Sequence, residues 1–375
     1  LLVRLHRARH RPGGDRLAVH ARFDRLAEPV LEHLYGVVRA AQRARHIEDL
    51  AAGHIILAER FLRRDAERFQ IGAECLREAH LVDAVNVVEI LSVLHAAAAH
   101  RGVGKHRLHV SLEGVADTKN KCLPIIALPT TAGTAAETTI NYVIIDEKRQ
   151  QKMVCVDPND IPAVAIIDAE LMYSLPKGLT AATGMDAMTH AIEGLITKAA
   201  WEMSDMFEIK AIEMIHKYLP VAVNDPTNPE GRNGMAVAQY IAGMAFSNVG
   251  LGVDHGMAHP MSALHDVPHG VACAILLPTV MRFNMPVSIK KYVEIAKAVG
   301  VYEAGMTDEQ AAEAACNEIE NLSKLVGIPQ HLTELGIKEE DIPALAEQAI
   351  TDVCTPGNPR PVTKEDILNL YKTIL

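Results

Sequence analysis

Two stretches decide the fold class: GMDAMTHAIEG at residues 184–194 and VDHGMAHPMSALHDVPHG at residues 253–270. In the first, Asp186 and His190 lie four residues apart in an apolar pattern of helical period. On a helix this spacing places a carboxylate and an imidazole on one face, about one turn apart. The second stretch repeats the spacing with two histidines. Both stretches are therefore predicted to be helices that carry polar groups on a shared face.

The second stretch contains four of the seven histidines that follow residue 110: His255, His259, His265 and His269. For any one of them, capping a helix or hydrogen bonding in the interior is the simpler interpretation. Two pairs at this spacing on mostly apolar helices favour a metal site, because a divalent transition metal binds imidazole nitrogens together with a carboxylate. Three histidines and one aspartate would leave a coordination position for a substrate oxygen, as in catalytic sites.

Beyond Pro176 the hydrophobic period is helical almost without interruption. Residues 307–310, from Thr307 to Gln310, resemble a capping box, and residues 363–366 are predicted to start the last helix. Pro268 and Pro278 are predicted to mark breaks between helices. The predicted helices are 181–197, 204–218, 232–247, 256–264, 289–299, 308–325, 340–349 and 364–371.

Between residue 111 and Pro176 short apolar runs predict strands instead. The predicted strands are 122–128, 142–145, 152–156 and 163–167, the middle two joined by a polar turn at 146–151. The fold class is therefore α/β plus all-α, with the α/β part at 111–177 and the helical domain at 178–375.

A third polar feature is LPTTAGTAAE at residues 128–137, directly after a predicted strand. Small hydroxylated residues around a glycine can direct backbone N–H and hydroxyl donors onto a phosphate or a ribose. A Thr-rich turn that caps the next helix is an equally good interpretation of this motif.

The composition of the whole chain excludes several classes of protein. It has 375 residues, 49% of them hydrophobic, with a net charge of −10 and six cysteines without a C-x-x-C pair. The apolar fraction excludes a disordered chain, and the small number of cysteines excludes a disulfide scaffold. The negative net charge argues against a protein that binds nucleic acid independently of sequence. Without an apolar run of 18 residues or a signal peptide, we expect a cytoplasmic protein with neither a membrane nor a nucleic-acid partner.

Residues 1–110 have a different composition from the rest. The first 104 residues contain sixteen Arg and nine His but no Lys, Thr or Met, whereas four Arg and fifteen Lys follow residue 110. No physical requirement of a fold removes Lys and Thr together. We hypothesise that this segment is a coding region read in the wrong frame or strand; the alternative is an Arg-rich helical domain, in which 57–68 would form an amphipathic helix.

Residues 111–375 resemble the iron-containing (group III) alcohol dehydrogenases. The motifs that carry the resemblance occur in fixed order: LPTTAGTAAETTINYVI, KMVCVDPNDIP, GLTAATGMDAMTHAIEGLI, FSNVGLGVDHGMAHP, DVPHGVACAILLP and DVCTPGNPR. The resemblance implies a dinucleotide-binding α/β domain followed by a helical metal-binding domain, in a dehydroquinate synthase-like arrangement. It also implies a homodimer.

The resemblance assigns roles to single residues. The implied metal ligands are Asp186, His190, His255 and His269, for Fe²⁺ with Zn²⁺ as the alternative. His259 is implied to be the catalytic, non-ligand histidine near the reacting centre. The implied NAD-binding residues are Thr130, Thr131, Ala132, Gly133, Thr134, Asn141, Lys152 and Met172.

The implied activity is reversible hydride transfer between NAD(H) and a small alcohol or aldehyde, with lactaldehyde and 1,2-propanediol as the expected pair. Two other functions stay open: a redox-free metal hydrolase or lyase, and an inactive metal-binding helical module.

The chain departs from the family pattern in three places. The Gly-Gly-Gly-Ser turn that the family uses for the pyrophosphate is not recognisable in residues 1–110, whose adjacent glycines are Gly13 and Gly14. Asp254 beside His255, and Leu264 with His265, are further departures. Asp254 and His265 could alter metal binding or simply face solvent.

Overall fold

Helix α1 lies in the interior of the protein. The computed structural model describes residues 113–115, 125–146 and 148–375, and in it α1 spans Lys177–Ile196. Every residue from Thr180 to Ile196 is buried, including the polar side chains of Asp186, His190 and Glu193. Gly184 allows the next helix to approach closely, because an added Cβ would lie 2.2 Å from Leu219 Cδ1.

Seven further α-helices follow α1 in the described part of the chain. They are α2 Glu202–Asn224, α3 Pro229–Val249, α4 Val253–His265, α5 His269–Ala298, α6 Asp308–Leu325, α7 Ile342–Thr351 and α8 Lys364–Thr373. Each predicted helix corresponds to one of these eight. The predicted capping box is confirmed, since the hydroxyl of Thr307 accepts from the backbone N–H of Gln310. The last helix begins where predicted, and there the hydroxyl of Thr363 accepts from the backbone N–H of Asp366. Short 3-10 turns lie at Ala169–Met172, Leu332–Leu335, Glu339–Asp341 and Thr355–Gly357.

Helix α5 is much longer than the predicted 289–299, and the predicted break at Pro278 is wrong. The helix begins directly after Pro268 and continues through Pro278; non-helical backbone angles occur at Ser288 (φ −129°, ψ 20°), after Pro286. A proline removes one helical hydrogen bond, but burial of the apolar residues around Pro278 outweighs that loss. By length and composition α5 could cross a membrane, yet 56% of its most apolar window is buried within the protein.

Helix α5 separates two apolar cores. Leu277 and Met281 pack into the larger core with residues of α1, α2, α3 and α6. Leu276 and Val280, one position earlier in each case, pack into a second core with α4, α7 and α8. Both faces of α5 are therefore buried, and its N-terminus lies close to α1 and α4.

The α/β part contributes two small sheets. The strands are β1 Gly114–Val115, β2 Ile126–Ala127, β3 Asn141–Asp146, β4 Gln151–Val156 and β5 Val164–Ala165. In the first sheet β4 is central, parallel to β1 and antiparallel to β3, and β2 and β5 form a parallel pair. The predicted hairpin is confirmed, whereas β2 and β5 are shorter than the predicted runs. Residues 122–124 and the whole anomalous segment 1–110 lie outside the described residues.

Candidate metal centre and cofactor turn

Three helices bring the predicted ligand residues together. Asp186 and His190 lie on α1, His255 lies on the first turn of α4, and His269 is the first residue of α5. The Nε2 atoms of the three histidines lie 4.0, 3.9 and 3.8 Å from Asp186 Oδ1, in chain order. Asp186 and His255 are 2% exposed at the side chain and His190 7%, whereas His269 is 28% exposed. The cluster therefore opens to solvent on the side of His269.

The donors of this cluster fit a single divalent ion. Asp186 Oδ1 and His255 Nε2 are buried and have no hydrogen-bond partner within the described residues, an arrangement that costs free energy unless another group satisfies them. The distances to Asp186 are too long for hydrogen bonds. Donors bound to one ion at about 2 Å each can lie up to roughly 4 Å apart, so these spacings suit a shared metal.

Glu193, three residues after His190 on α1, orients one of the histidines. Its Oε2 lies 2.7 Å from His255 Nδ1, and its Oε1 accepts from the backbone N–H of Asp254 at 2.8 Å. A carboxylate that accepts from Nδ1–H fixes the tautomer in which Nε2 carries the lone pair, as is usual for metal-binding histidines. Sequence reasoning missed this role, although Glu193 lies within the quoted stretch on the same helix.

Burial favours the neutral form of two imidazoles in the cluster, those of His190 and His269. Burial lowers the pKa of His190 to about 4, against the opposing attraction of Asp186. Burial likewise holds the pKa of His269 well below its ordinary value, and the positive charge of Lys152 acts in the same direction. Neutral imidazole is the form that binds a metal ion, so the cluster is poised for one near neutral pH.

His259 lies beside the cluster but pairs with a different group. Its Nδ1 is 2.7 Å from Asp352 Oδ2, and its ring stacks on His269 with the centroids 5.4 Å apart. Although burial opposes ionisation of Asp352, the attraction of His259 and hydrogen bonds hold the pKa of that carboxyl below its ordinary value. The sequence singled out His259 and not Asp352, which lies 93 residues further along the chain.

Two residues near the cluster need separate mention. Cys273, one turn after His269 on α5, has its sulfur 3.8 Å from both ring nitrogens of His269. Burial raises the pKa of this thiol well above its ordinary value. Asp254 does not face solvent but is fully buried; burial, with the negative charges of Glu193 and Asp186, holds its pKa well above the ordinary value. His265, at the end of α4, is half-buried.

The Thr-rich turn leads into strand β3, so the interpretation as a helix cap is wrong. The turn rests on α1 and α3 at two glycines. A Cβ added at Gly133 would lie 2.7 Å from the carbonyl oxygen of Thr183, and one at Gly243 would lie 2.4 Å from Ala135 Cβ. Ala135 has a left-handed backbone (φ 53°). These close contacts hold the turn beside the helix that carries Asp186 and His190.

A buried pair fixes the far end of the turn. Gln239 Nε2 on α3 donates to Glu137 Oε1 at 2.5 Å. Burial raises the pKa of Glu137 to about 7, although the hydrogen bond from Gln239 opposes the shift. Of the predicted cofactor residues in the turn, Thr131, Ala132 and Gly133 are buried, and Thr130 and Thr134 are half-buried.

The remaining predicted cofactor residues occupy different environments. Lys152 on β4 lines a cleft beside the metal cluster, together with Gln151, His259, Pro260, Gln348 and Asp352. Asn141 begins β3 and is half-buried. Met172 is fully buried in the larger apolar core, so the structure does not bring its side chain to the cleft.

The arrangement combines a buried set of N and O donors with a cleft that contains a cation and a carboxylate-paired imidazole. A metal ion held there would be next to an acid–base group and to a turn rich in hydrogen-bond donors. That combination suits chemistry on a small polar substrate, with His259 and Lys152 in reach of the same cleft.

Comparison with known proteins identifies close relatives. The family described as Fe-containing alcohol dehydrogenase family, C-terminal, matches residues 180–375, and Iron-containing alcohol dehydrogenase matches residues 92–169. Lactaldehyde reductase of Escherichia coli (strain K12) is 55% identical over 263 residues, which are 70% of this chain and 68% of that protein.

Solved structures show the same fold. A 1,3-propanediol oxidoreductase superposes with a TM-score of 0.73 at 40% identity, covering 77% of this chain and 74% of that one. Sulfoacetaldehyde reductase from Bifidobacterium kashiwanohense, in complex with NAD⁺, superposes with a TM-score of 0.66 at 30% identity. The match covers 76% of this chain and 73% of that one. The predicted fold class, an α/β part followed by a helical domain, is confirmed.

Proposed function

The chain belongs to the iron-containing alcohol dehydrogenase family, and we propose that it interconverts lactaldehyde and 1,2-propanediol with NAD(H). As a member of that family it is a metal-dependent oxidoreductase of alcohols and aldehydes. The 55% identity to lactaldehyde reductase supports the choice of substrate. The observation that carries the chemistry is the cluster of one carboxylate and three imidazoles, in which Asp186 Oδ1 and His255 Nε2 are buried without a hydrogen-bond partner among the described residues.

The metal would be Fe²⁺, in keeping with the family, held by Asp186, His190, His255 and His269. When bound, the ion supplies Lewis acidity toward a substrate oxygen, and NAD(H) supplies or accepts the hydride. Zn²⁺ suits the same donors, and metal analysis of the native protein distinguishes the two.

The chain's own residues would orient the reactants and exclude water. The turn at 130–134, with Asn141 and Lys152, would bind the ribose and phosphate side of the cofactor through hydroxyl, backbone N–H and ammonium donors. The Thr-rich turn rests on α1, and Lys152 shares a cleft with His259. These positions support a cofactor site next to the proposed metal ligands.

His259 would handle the proton of the reaction. It is not part of the ligand set, and its ring is stacked on His269 at the edge of the cluster. An imidazole can both accept and donate a proton. His259 would accept the hydroxyl proton during alcohol oxidation and return it during aldehyde reduction.

The test combines turnover with metal analysis. Protein loaded anaerobically with Fe²⁺ should oxidise NADH in the presence of lactaldehyde, with a higher kcat/KM than for propanal or 3-hydroxypropanal. Replacement of His259 by Gln should slow turnover by about 10²- to 10⁴-fold while bound metal persists, whereas His269→Ala should lose the metal.

Each outcome has a separate meaning. Loss of metal in His259→Gln would make that residue a ligand. Absence of NADH turnover in metal-replete protein would overturn the proposed redox activity. We also propose a cytoplasmic homodimer, which size-exclusion chromatography with light scattering tests for the subunit number and cell fractionation for the location.

A further inference from the structure

Asp352 divides its two carboxylate oxygens between two partners. Oδ2 lies 2.7 Å from His259 Nδ1, and Oδ1 accepts from the backbone N–H of Cys354 at 2.8 Å. The side chains of His259 and Asp352 are 5% and 9% exposed. This is therefore a shielded, directional contact rather than a surface ion pair.

The segment that carries Asp352 is fastened to the helix that carries His259. Thr355 Oγ1 donates to the carbonyl of Ala349 at 2.7 Å, and a Cβ added at Gly256 on α4 would lie 2.1 Å from Thr355 Oγ1. Further along, the side-chain amides of Asn358 and Asn284 donate to each other at 2.8 Å. These contacts hold the segment after Asp352 against α4 at Gly256, against α7 at Ala349 and against α5 at Asn284.

Helix stability does not explain an acid at this position. Asp352 is the C-terminal cap of α7, where the partial negative charge of the helix end disfavours a carboxylate. His259 supplies the compensating contact. The bond from Cys354 N–H needs only an acceptor oxygen, which the neutral side chain of asparagine would also supply.

We propose that Asp352 is the positioning residue of His259: it accepts from Nδ1–H, fixes the ring and leaves Nε2 as the nitrogen that takes up the substrate proton. This inference rests on the proposed function, in which His259 handles that proton. Asp352 is not one of the four proposed metal ligands. Its effect on the reaction passes through the tautomer and the orientation of the imidazole.

Asp352→Asn tests the tautomer directly. If the Asn side-chain oxygen keeps the bond from Cys354 N–H, its NH₂ group faces His259 Nδ1, which must then accept. The proton of the neutral ring moves to Nε2, which can no longer accept one from the substrate. We expect kcat to fall by about 10- to 100-fold, with KM within about threefold of wild type and unchanged metal content.

A double-mutant cycle separates positioning from general loss of structure. In the His259→Gln background, Asp352→Asn should have no further effect on kcat, because the group that it positions is gone. Glu347→Gln is the matched control: it removes an exposed carboxylate from α7 that pairs with Lys364 rather than with a histidine. This control should behave as wild type.

A spectroscopic readout keeps the test independent of turnover. In Zn²⁺-loaded protein with ¹⁵N-labelled histidine, the resonances that vanish in His259→Gln belong to that ring. They should show an Nδ1–H tautomer in wild type and an Nε2–H tautomer in Asp352→Asn. Additive losses in the cycle, loss of metal in Asp352→Asn or an unchanged tautomer would each overturn the inference. If wild type shows no NADH turnover, the proposed function fails, and the tautomer still decides whether Asp352 positions His259.

Discussion

Glu208 on α2 is a buried carboxyl group without a hydrogen-bond partner in the described part of the chain. It is fully buried, and neither carboxylate oxygen has a hydrogen-bond partner within the described residues. The group lies over Gly194 of α1, where an added Cβ would be 2.0 Å from Glu208 Oε1. Burial, with Asp205 nearby, holds the pKa of Glu208 well above the ordinary value of 4.5. The residue is therefore a source of pH-dependent instability.

Glu208→Gln should make the protein more stable, and increasingly so as pH rises. The unfolded chain releases the carboxyl proton above pH 4.5 whereas the folded chain retains it, so wild type loses free energy of unfolding as pH rises through that range. We expect the variant's advantage to grow from pH 5 to pH 8, to about 1–3 kcal/mol, in urea denaturation. Glu213→Gln, exposed on the same helix, should change stability by less than about 0.5 kcal/mol. If the difference in free energy of unfolding between Glu208→Gln and wild type did not change with pH, the raised pKa of Glu208 would be contradicted.

At the residue scale, the sequence predicted groups whose spacing is local and missed those whose partners are distant. Asp186 with His190, and His255 with His259, could be selected because helical geometry relates positions four apart. Glu193 and Asp352 have no local signature: a glutamate on an amphipathic helix is most often solvated, and only tertiary contact pairs Asp352 with His259. Family resemblance sorted ligand from non-ligand histidine, which spacing alone did not.

At the element scale, the Thr-rich turn depends on glycine where it contacts α1. Gly133→Ala would place a methyl group 2.7 Å from both Cβ and the carbonyl oxygen of Thr183, so the turn must move away from the helix. We expect the KM for NADH to rise by about tenfold or more while metal content is retained, measured by steady-state kinetics and metal analysis of the same sample. A tenfold rise in KM corresponds to about 1.4 kcal/mol of lost binding free energy for NADH.

Gly178→Ala is the matched control for that substitution. Gly178 lies in the first turn of α1, and an added Cβ meets nothing within 4 Å. Alanine there should leave KM unchanged and, through its higher helix propensity, raise stability by up to about 1 kcal/mol. An unchanged KM in Gly133→Ala would mean that the turn does not contact the cofactor.

The helices themselves were predictable and their ends less so. The periodicity of apolar residues in the sequence predicted all eight helices, because each helix buries one or more apolar faces. The exception, α5, shows the limit of local rules: Pro278 indicates a break, but apolar contacts on both faces keep the helix continuous. Burial in the surrounding cores is a tertiary effect that the sequence pattern does not contain.

At the scale of the whole molecule, the proposed metal would join α1 to α4 and α5, two consecutive helices that follow much later in the chain. Its removal would leave one carboxylate oxygen and one imidazole nitrogen buried without partners. We expect a chelator to lower Tm. The free energy of unfolding should fall by about 4 kcal/mol if the free metal concentration was 1,000 times the Kd before the chelator was added. His269→Ala should have a low Tm that the chelator does not change. An equal Tm with and without metal in wild type would contradict a site that links α1, α4 and α5.

The anomalous composition of residues 1–110 leads to a prediction about the encoding DNA. If that segment is read in the wrong frame or strand, another frame upstream of the Ser111 codon should encode a Gly-Gly-Gly-Ser turn after a predicted strand. Reading all six frames checks this. Its absence from every frame would contradict the frame hypothesis and leave the segment as an Arg-rich domain.

The position of α5 between the two cores has a consequence for how the helical part opens. Because one face of α5 belongs to each core, neither core can separate from the other without exposing this helix. Its amide hydrogens should therefore exchange with deuterium only through global unfolding, at rates that match the free energy of unfolding. The ends of α8, by contrast, should exchange through local fraying. The helical part would then unfold as one cooperative unit, although its apolar residues form two separate clusters.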